Sequence, residues 1–256
     1  MQRTLSVTGN AMTTASSTPA PLLNYSYTFL HPKRTIRYIR TYNEALKQAR
    51  LSASALQGPF LGFDVEWRPN FVKGAPPSRV ALIQLASKHE VLLFQIFRAR
   101  KLAISPQLHH HALSDLRRTS LGQLPPALRE LLQDTKIKKV GVGIKSMPSS
   151  ACPVHTLFLP PGLEADTEKL RRDWNVEVRG IIDLSDVAWE LDTAHWRDTR
   201  AMAKHQHIGL AKLVEQYLGV KYNKPKRVQL SNWENLLSEK QMDCRSSITT
   251  SPWSRY

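Results

Sequence analysis

The stretch that decides the fold is Phe-Leu-Gly-Phe-Asp-Val-Glu-Trp, residues 60–67. Gly58-Pro59 stands directly before it, and Arg68-Pro69-Asn70 follows it. Glycine, proline and asparagine on both sides of an apolar run are typical of turns that bound a strand. We therefore predict a short β-strand over 60–67, with the rest of the fold built around it.

The same strand carries two carboxylates. Side chains alternate along a strand, so Asp64 and Glu66 are predicted to share one face while Phe63, Val65 and Trp67 share the other. Two adjacent carboxylates repel each other, and one of them then tends to retain its proton. A divalent cation with a preference for oxygen ligands, such as Mg²⁺ or Mn²⁺, would remove the conflict. The alternative is a half-exposed strand with two solvated acids.

Charge and size limit the classes of protein. The chain has 256 residues, enough for one good core with a tail, and a mean hydropathy of -0.36. Lys and Arg number 36 against 21 Asp and Glu, which gives a net charge of +15. This excess favours a polyanionic partner such as nucleic acid, although a basic surface also serves solubility or binding to anionic lipid.

Cysteines and apolar runs are equally informative. The two cysteines, Cys152 and Cys244, are far apart and have no metal-ligand spacing, so a reducing compartment is expected. No apolar run approaches the length of a membrane span, so no membrane association is predicted. An intracellular location follows, in the nucleus or the mitochondrion.

The first 34 residues are predicted to be a disordered or targeting tail. They are rich in Ser, Thr, Ala and Pro, and no acidic residue precedes Glu44. A basic, acid-free start fits a mitochondrial transit peptide, and an unstructured tail before a basic strand fits equally well.

Three consecutive strands form the predicted centre of the sheet. The runs 78–87 and 91–96 follow the strand 60–67 through short connections, which indicates an antiparallel meander. Apolar periodicity elsewhere predicts an α/β protein with further strands at 35–41, 138–144 and 180–184, and helices at 43–56, 125–133, 167–174 and 210–218.

Two stretches, 98–124 and 147–164, lack periodicity and are predicted to be irregular insertions. The first contains His109-His110-His111, which invites a metal hypothesis. No matching carboxylate or cysteine pattern accompanies the histidines, so a surface loop is the preferred interpretation.

Three motifs in a fixed order carry a resemblance to a known family. The first is Phe63-Asp64-Val65-Glu66-Trp67, and the second is the glycine-containing run 139–144 followed by Asp166-Thr167-Glu168-Lys169-Leu170. The third is approached by Ser231-Asn232-Trp233-Glu234 and the segment 237–241. Together, residues 35–243 resemble the 3′–5′ exonuclease domain of the DEDD superfamily, in its ribonuclease D and Werner-helicase exonuclease branch.

The resemblance implies a fold and a chemistry. The fold would be ribonuclease-H-like, a mixed sheet with three antiparallel strands first and helices on both faces. The site would hold two Mg²⁺ or Mn²⁺ ions for phosphodiester hydrolysis at single-stranded 3′ ends of DNA or RNA. By position, Asp64 would bridge both ions, Glu66 would hold the ion that activates water, and Asp166 would bind the second.

The chain departs from the family pattern in three places. Relatives have only a few residues between the glycine strand and its aspartate, whereas 146–164 intervenes here, and 98–124 is longer than the family needs. The family also has a tyrosine that orients water and a metal-binding aspartate where this chain has Cys244 and Ile248. The resemblance therefore implies an impaired nuclease with an irregular tail at 244–256, unless these stretches are gene-model errors.

A different class of function stays open: a catalytically inactive module that binds nucleic acid on the same fold. A basic scaffold without a nucleic-acid role would require the order of the motifs to be coincidental. The candidate nucleic-acid contacts are Lys224, Lys226 and Arg227, or else a solvated basic loop, and Trp233, which could stack on a base or pack beneath the sheet. Turn or surface roles are predicted for four further polar residues: Asp183, Asp186, His205 and His207.

Overall fold

The computed structural model describes residues 22–23, 35–55, 59–72, 75–96, 124–145, 165–198, 207–222 and 225–242. The predictions for the remaining residues, including most of 98–124, all of 147–164 and the tail from 244, lie outside this description. Among the described helices, none has the length and apolar character that crossing a membrane requires.

The described elements are a mixture of strands and helices, as an α/β fold requires. The strands are β1 (Thr35–Ile39), β2 (Phe60–Trp67), β3 (Val80–Ala86), β4 (Glu90–Phe94), β5 (Lys138–Gly141) and β6 (Ile181–Asp183). The helices are α1 (Tyr42–Ala55), α2 (Pro126–Gln133), α3 (Asp166–Trp174), α4 (Leu184–Leu191), α5 (Thr193–Asp198), α6 (Leu210–Leu218) and α7 (Lys226–Gln229).

The six strands form one mixed sheet in the order β1-β4-β3-β2-β5-β6. Strands β2, β3 and β4 are antiparallel to one another, which confirms the predicted meander. Strands β5 and β6 extend the sheet in parallel beside β2, and β1 lies parallel to β4 at the opposite edge. The antiparallel meander followed by parallel strands confirms the expected ribonuclease-H-like architecture.

Apolar side chains from both faces of this sheet are covered. On one face, Phe63 and Val65 of β2 lie in a buried cluster with residues of α1, α2 and α3. On the other face, one cluster gathers around Trp233 and a second joins β5 to α4, α5 and α6. Because both faces of the sheet are covered by other elements, the middle of β2 is buried, and its last residues, Glu66 and Trp67, are only partly buried.

A buried lysine on β5 helps to end helix α2. The ammonium group of Lys139 donates to the backbone carbonyls of Asp134 (2.6 Å), Ile137 (2.7 Å) and Leu131 (3.4 Å). Burial lowers the pKa of Lys139 to about 8. Carbonyl groups at a helix C-terminus have no partner within the helix, and a cation among them satisfies several at once.

Two local predictions were wrong in detail. Strand β5 ends at Gly141 and not near residue 144, since Gly143 has a φ of 73° and turns the backbone out of the strand. Helix α3 begins at Asp166, one residue before its predicted start, and its N-cap is Ala165. The Asp166 carboxyl group is turned toward β2, where it takes part in the cluster described next.

Candidate active site

Strand β2 presents Asp64 and Glu66 at the middle of the sheet. The residue between them, Val65, is buried in the core, so the two acids are held on the opposite side of the strand. Gln84 stands directly across the ladder on β3, and its Nε2 donates to Asp64 Oδ2 at 3.0 Å. Gln84 is fully buried, and its Oε1 accepts no hydrogen bond from the described residues.

Asp166 reaches this place because the start of α3 is fastened to Ile144, just after the turn that follows β5. The backbone N–H and the hydroxyl of Thr167 both donate to the carbonyl of Ile144, at 3.3 and 2.7 Å. The backbone N–H of Ile144 in turn donates to Asp183 Oδ2 at 2.9 Å. The chain thus returns to the end of the strand in spite of the long segment 146–164.

The carboxyl group of Asp166 lies against the edge of β2. Within the described strands, β5 pairs with β2 only from Phe60 to Gly62, so the edge of β2 beyond Gly62 is available. The backbone N–H of Val65 donates to the Asp166 carboxyl group there, and the side chain of Asp166 is hydrogen-bonded to that of Asp64. Asp166 therefore contacts Asp64 directly, while Glu66 affects it through its charge.

The electrostatics of Asp166 follow from this position. Burial of its carboxyl group raises the pKa of Asp166 well above the usual value, although the residue as a whole is half-buried. The negative charges of Asp64 and then Glu66 raise the pKa further, and so does the hydrogen bond with Asp64, while the Val65 N–H opposes them. Such a site favours a proton or a cation, because three neighbouring anions repel.

The donor set fits a divalent cation. Carboxylate oxygens are the ligands that Mg²⁺ and Mn²⁺ prefer, and Mg²⁺ is usually held by one or two carboxylates with water and substrate phosphate completing the shell. In the described part of the chain, no group of three or more His, Cys, Asp or Glu side chains is placed to hold a metal ion. One pair of carboxyl groups, Asp64 and Asp166, is in contact, and Asp64 also accepts from Gln84.

The predicted nucleic-acid contacts have separate outcomes. Lys226 and Arg227 are exposed in the first turn of α7, and Lys224 lies outside the described residues. Trp233 is fully buried under the sheet, and its carbonyl accepts from Gln95 Nε2 at 2.7 Å. The ring of Trp233 is therefore a core residue, and the prediction that it stacks on a base is wrong.

Asp186 and His207 lie on the surface, as the sequence predicts, whereas Asp183 is buried and has neither a turn nor a surface role. Asp183 caps α4 by accepting from the backbone N–H of Ser185 at 3.0 Å. Asp186 forms a surface ion pair with Lys145 at 2.9 Å, and His207 is exposed before α6. His205 lies outside the described residues.

A groove beside the end of β2 was not foreseen from the sequence. It has a volume of about 570 Å³ and is lined by the loop after β2, including Arg68 and Phe71, and by Leu230 and Asn232. Phe71 is 76% exposed within this loop. The proline-rich turn at 69–77 signalled a loop, but nothing local indicated that residues after α7 would form its opposite wall.

Comparison with curated proteins finds three exonucleases. A 3′–5′ exonuclease of Arabidopsis thaliana is 26% identical over 199 residues, which cover 77% of this chain and 51% of that protein. The bifunctional 3′–5′ exonuclease/ATP-dependent helicase WRN of Mus musculus is 30% identical over 187 residues, 72% of this chain and 10% of that protein. The exonuclease 3′–5′ domain-containing protein 2 of Drosophila melanogaster is 28% identical over 223 residues, 86% of this chain and 29% of that protein. The chain thus spans about half the length of these relatives or less.

Solved structures give weaker similarity. The EXD2 exonuclease domain is 24% identical and has a TM-score of 0.40, with 81% of this chain and 80% of that chain covered. The Aedes aegypti Nibbler EXO domain is 18% identical with a TM-score of 0.46, covering 82% of this chain and 80% of that chain. No family model matches the chain.

Proposed function

We propose that the chain carries a 3′–5′ exonuclease domain, like the relatives it is similar to, and that Asp64, Glu66 and Asp166 form its divalent-cation site for phosphodiester hydrolysis at nucleic-acid 3′ ends. The observation that carries the proposal is the contact of the Asp166 carboxyl group with Asp64, beside the charge of Glu66. This contact joins residues that stand far apart in the sequence. An arrangement of like charges that costs stability is typical of a site kept for a ligand.

The proposal assigns a task to each carboxylate. Asp64, which is hydrogen-bonded to Gln84 and Asp166, would be the ligand shared by both ions, Glu66 would help hold the ion that activates water, and Asp166 would help hold the second. Mg²⁺ or Mn²⁺ bound there would supply an activated water and stabilise the leaving oxygen of the phosphodiester. The amide of Gln84 orients Asp64, because its Nε2 donates to Oδ2 and leaves the other carboxylate oxygen for Asp166 or a ligand.

Two sequence positions favour a weakened enzyme or, as the second candidate, a module that binds without cutting. Cys244 and Ile248 stand where the resemblance implies a tyrosine and an aspartate. Neither a thiol in place of the phenol nor an aliphatic side chain in place of a carboxylate can orient water or bind Mg²⁺ in the same way. We therefore expect cation binding at Asp64, Glu66 and Asp166 with slow turnover.

The proposed substrate is single-stranded DNA or RNA. Support comes from the net charge of +15, from the exposed Lys226 and Arg227, and from the groove that contains Arg68 and Phe71. Basic side chains bind the phosphate backbone, and an exposed aromatic ring offers a surface for a base. Location in the nucleus or the mitochondrion stays a prediction from the sequence.

The first experiment tests the cation site. We expect Mn²⁺ to raise the unfolding free energy of the protein by about 2.7 kcal/mol at a hundredfold excess over Kd. Asp64→Asn should remove this stabilisation, because it removes the shared carboxylate, and should also abolish Mn²⁺-dependent digestion of a 5′-labelled single strand. Thermal unfolding with and without Mn²⁺ gives the first readout, and a gel assay gives the second.

The matched control is Asp186→Asn, which neutralises an exposed aspartate outside the cluster. This variant should respond to Mn²⁺ like the unmodified chain. Equal stabilisation of the Asp64→Asn protein would show that the ions bind elsewhere and would contradict the proposed site. Cation binding without any digestion would favour the binding module over the enzyme.

A second experiment tests nucleic-acid binding at α7. We expect the affinity for a labelled oligonucleotide to fall steeply with salt, because phosphate contacts release counterions. Lys226→Ala with Arg227→Ala should reduce the slope of log K against log salt by about 1.4, at about 0.7 per contact on a single strand. Fluorescence anisotropy over a salt series measures the slope.

The control pair is Lys47→Ala with Arg50→Ala, two exposed cations on α1, the helix that packs on the opposite face of the sheet. This pair should leave the slope nearly unchanged. A salt-independent affinity, or equal slopes for the two double variants, would exclude α7 as the phosphate contact.

A further inference from the structure

A second buried lysine lies close to the candidate site. Lys169 is in α3, three residues after Asp166, and its side chain is 1% exposed. Residues 166, 169 and 173 share one face of a helix that turns 100° per residue. The face of α3 that carries Asp166 therefore also carries Lys169 and Asp173.

The ammonium group of Lys169 connects three parts of the fold. It donates to Asp173 Oδ2 at 2.9 Å within α3 and to the carbonyl of Ser78 at 2.7 Å, just before β3. It also lies 4.9 Å from the centre of the Trp67 ring, at the end of β2. Trp67 is adjacent to Glu66, so the contact reaches the strand that carries two of the three acids.

Asp173 extends the connection to β3. Its Oδ2 accepts from the backbone N–H of Val80 at 2.9 Å, and the indole N–H of the neighbouring Trp174 donates to the carbonyl of Val80 at 3.0 Å. Val80 is paired with Trp67 in the ladder between β2 and β3. These contacts fasten the middle and end of α3 to the end of the β2–β3 hairpin.

A buried ion pair contributes little net stability compared with apolar residues of the same shape, but it tolerates few alternative arrangements. The apolar side chains of Leu170 and Trp174 already pack α3 onto the sheet. The Thr167–Ile144 contacts fix only the first turn of α3. The ammonium group of Lys169 adds a directional constraint on how the helix is rotated and how deeply it sits.

We propose that Lys169 is a positioning residue for the cation site: by joining Asp173, Ser78 and Trp67, it sets the rotation of α3 that places Asp166 against Asp64 and Glu66. The consequence for cation binding rests on the proposed function. The consequence for the position of Asp166 does not, since it concerns the folded chain itself.

The test compares Lys169→Met with Lys139→Met. Both lysines are buried and donate to backbone carbonyls. Lys139 is on β5, its ammonium group lies beside the C-terminal end of α2, and it has no described contact with α3. We expect Lys169→Met to weaken Mn²⁺ affinity at least tenfold, whereas Lys139→Met should leave it within about twofold. Titration calorimetry with Mn²⁺ measures the affinity, and urea unfolding shows how much stability each variant has lost.

A cation-free measurement separates the two proposals. In EDTA, amide hydrogen exchange at residues 166–169 should be at least tenfold faster in Lys169→Met than in Lys139→Met of comparable stability. If the unmodified chain binds no Mn²⁺, the proposed function fails while the exchange rates still decide the role of Lys169. Equal exchange rates at 166–169 in the two variants would overturn the inference.

The double variant Lys169→Met with Asp173→Asn covers the case in which the single variant does not fold. It removes the buried carboxylate, which would keep only the partly exposed Arg172 as ionic partner, and it keeps an oxygen that accepts from the Val80 N–H. We expect this protein to fold while its Mn²⁺ affinity stays at least tenfold below that of the unmodified chain. Full recovery of affinity with folding would show that Lys169 serves stability alone.

Discussion

Turnover should rise by about 10² to 10⁴ when the tail from Cys244 is replaced by a helix that contains Cys244→Tyr and Ile248→Asp. Cations held at the proposed site would have to place an activated water in line with the leaving oxygen, so their position would matter more than their presence. A fourth carboxylate would hold the water-activating ion, and the phenol would orient the water. The rate is measured from the shortening of a 5′-labelled single strand at saturating Mn²⁺.

The control for this gain carries the same helical tail with Cys244→Phe and Ile248→Asn. It provides the helix and similar side-chain volumes but neither the phenol nor the carboxylate, and its rate should match that of the unmodified chain. If the unmodified chain already digests as fast as the repaired one, another residue supplies the missing ligand and the implied loss of the third motif is wrong.

Asp166→Asn should stabilise the cation-free protein at pH 7 by about 1 kcal/mol, a typical gain when a costly functional group is removed. The pKa of Asp166 is raised in the folded chain by burial and by Asp64 and Glu66. The folded chain therefore holds more protons than the unfolded chain above the ordinary carboxyl pKa, and its stability falls with pH until the raised pKa is passed. Asparagine does not titrate, so the variant escapes this loss.

Urea unfolding in EDTA between pH 4 and 7.5 measures the effect, and the gap between the two proteins should widen as pH rises. With Mn²⁺ at a hundredfold excess over Kd, the order should reverse, because the unmodified chain gains about 2.7 kcal/mol and the variant gains much less. Lower stability of the variant in EDTA at pH 7 would contradict the electrostatic argument.

Glu168→Gln is a control in the same helical turn, and its effect on stability at pH 7 should be opposite in sign to that of Asp166→Asn. The side chain of Arg171 lowers the pKa of Glu168 by hydrogen bonding and by its charge. Glu168 therefore contributes its stability above the ordinary glutamate pKa and loses it as pH falls. Its replacement should lower stability slightly at pH 7 and have no effect on the response to Mn²⁺.

The centre of the fold could be predicted because its signals are local. The strand 60–67 is bounded by turn residues, and the short connections between β2, β3 and β4 leave antiparallel pairing as the simple solution. The end of β5 was less predictable, because the backbone turn at Gly143 depends on contacts with Asp183 and Thr167 that no local pattern shows.

The candidate site was predictable only in part. Asp64 and Glu66 stand two residues apart on one strand, so their proximity follows from strand geometry. The placement of Asp166 came from the resemblance, since its approach depends on the contact between Thr167 and Ile144. The roles of Gln84 and Lys169 were not predicted. A buried polar side chain can be assigned a role only when its hydrogen-bond partner is known, and Ser78, a partner of Lys169, is 91 residues away in the sequence. Trp233 fitted both surface stacking and burial until its surroundings were known.

The contact between Ile144 and Thr167 also has a consequence for the evolution of such a sequence. It holds Ile144 and Thr167 together, so whatever stands between them in the sequence begins and ends at fixed points of the fold. The entropy of bringing the two ends of a chain segment together grows slowly, by about 0.6 kcal/mol for each doubling of its length. Insertions or deletions between these two residues therefore change the length of the protein at little cost in the free energy of folding. The contact between Asp166 and Asp64 can be kept while the intervening sequence varies.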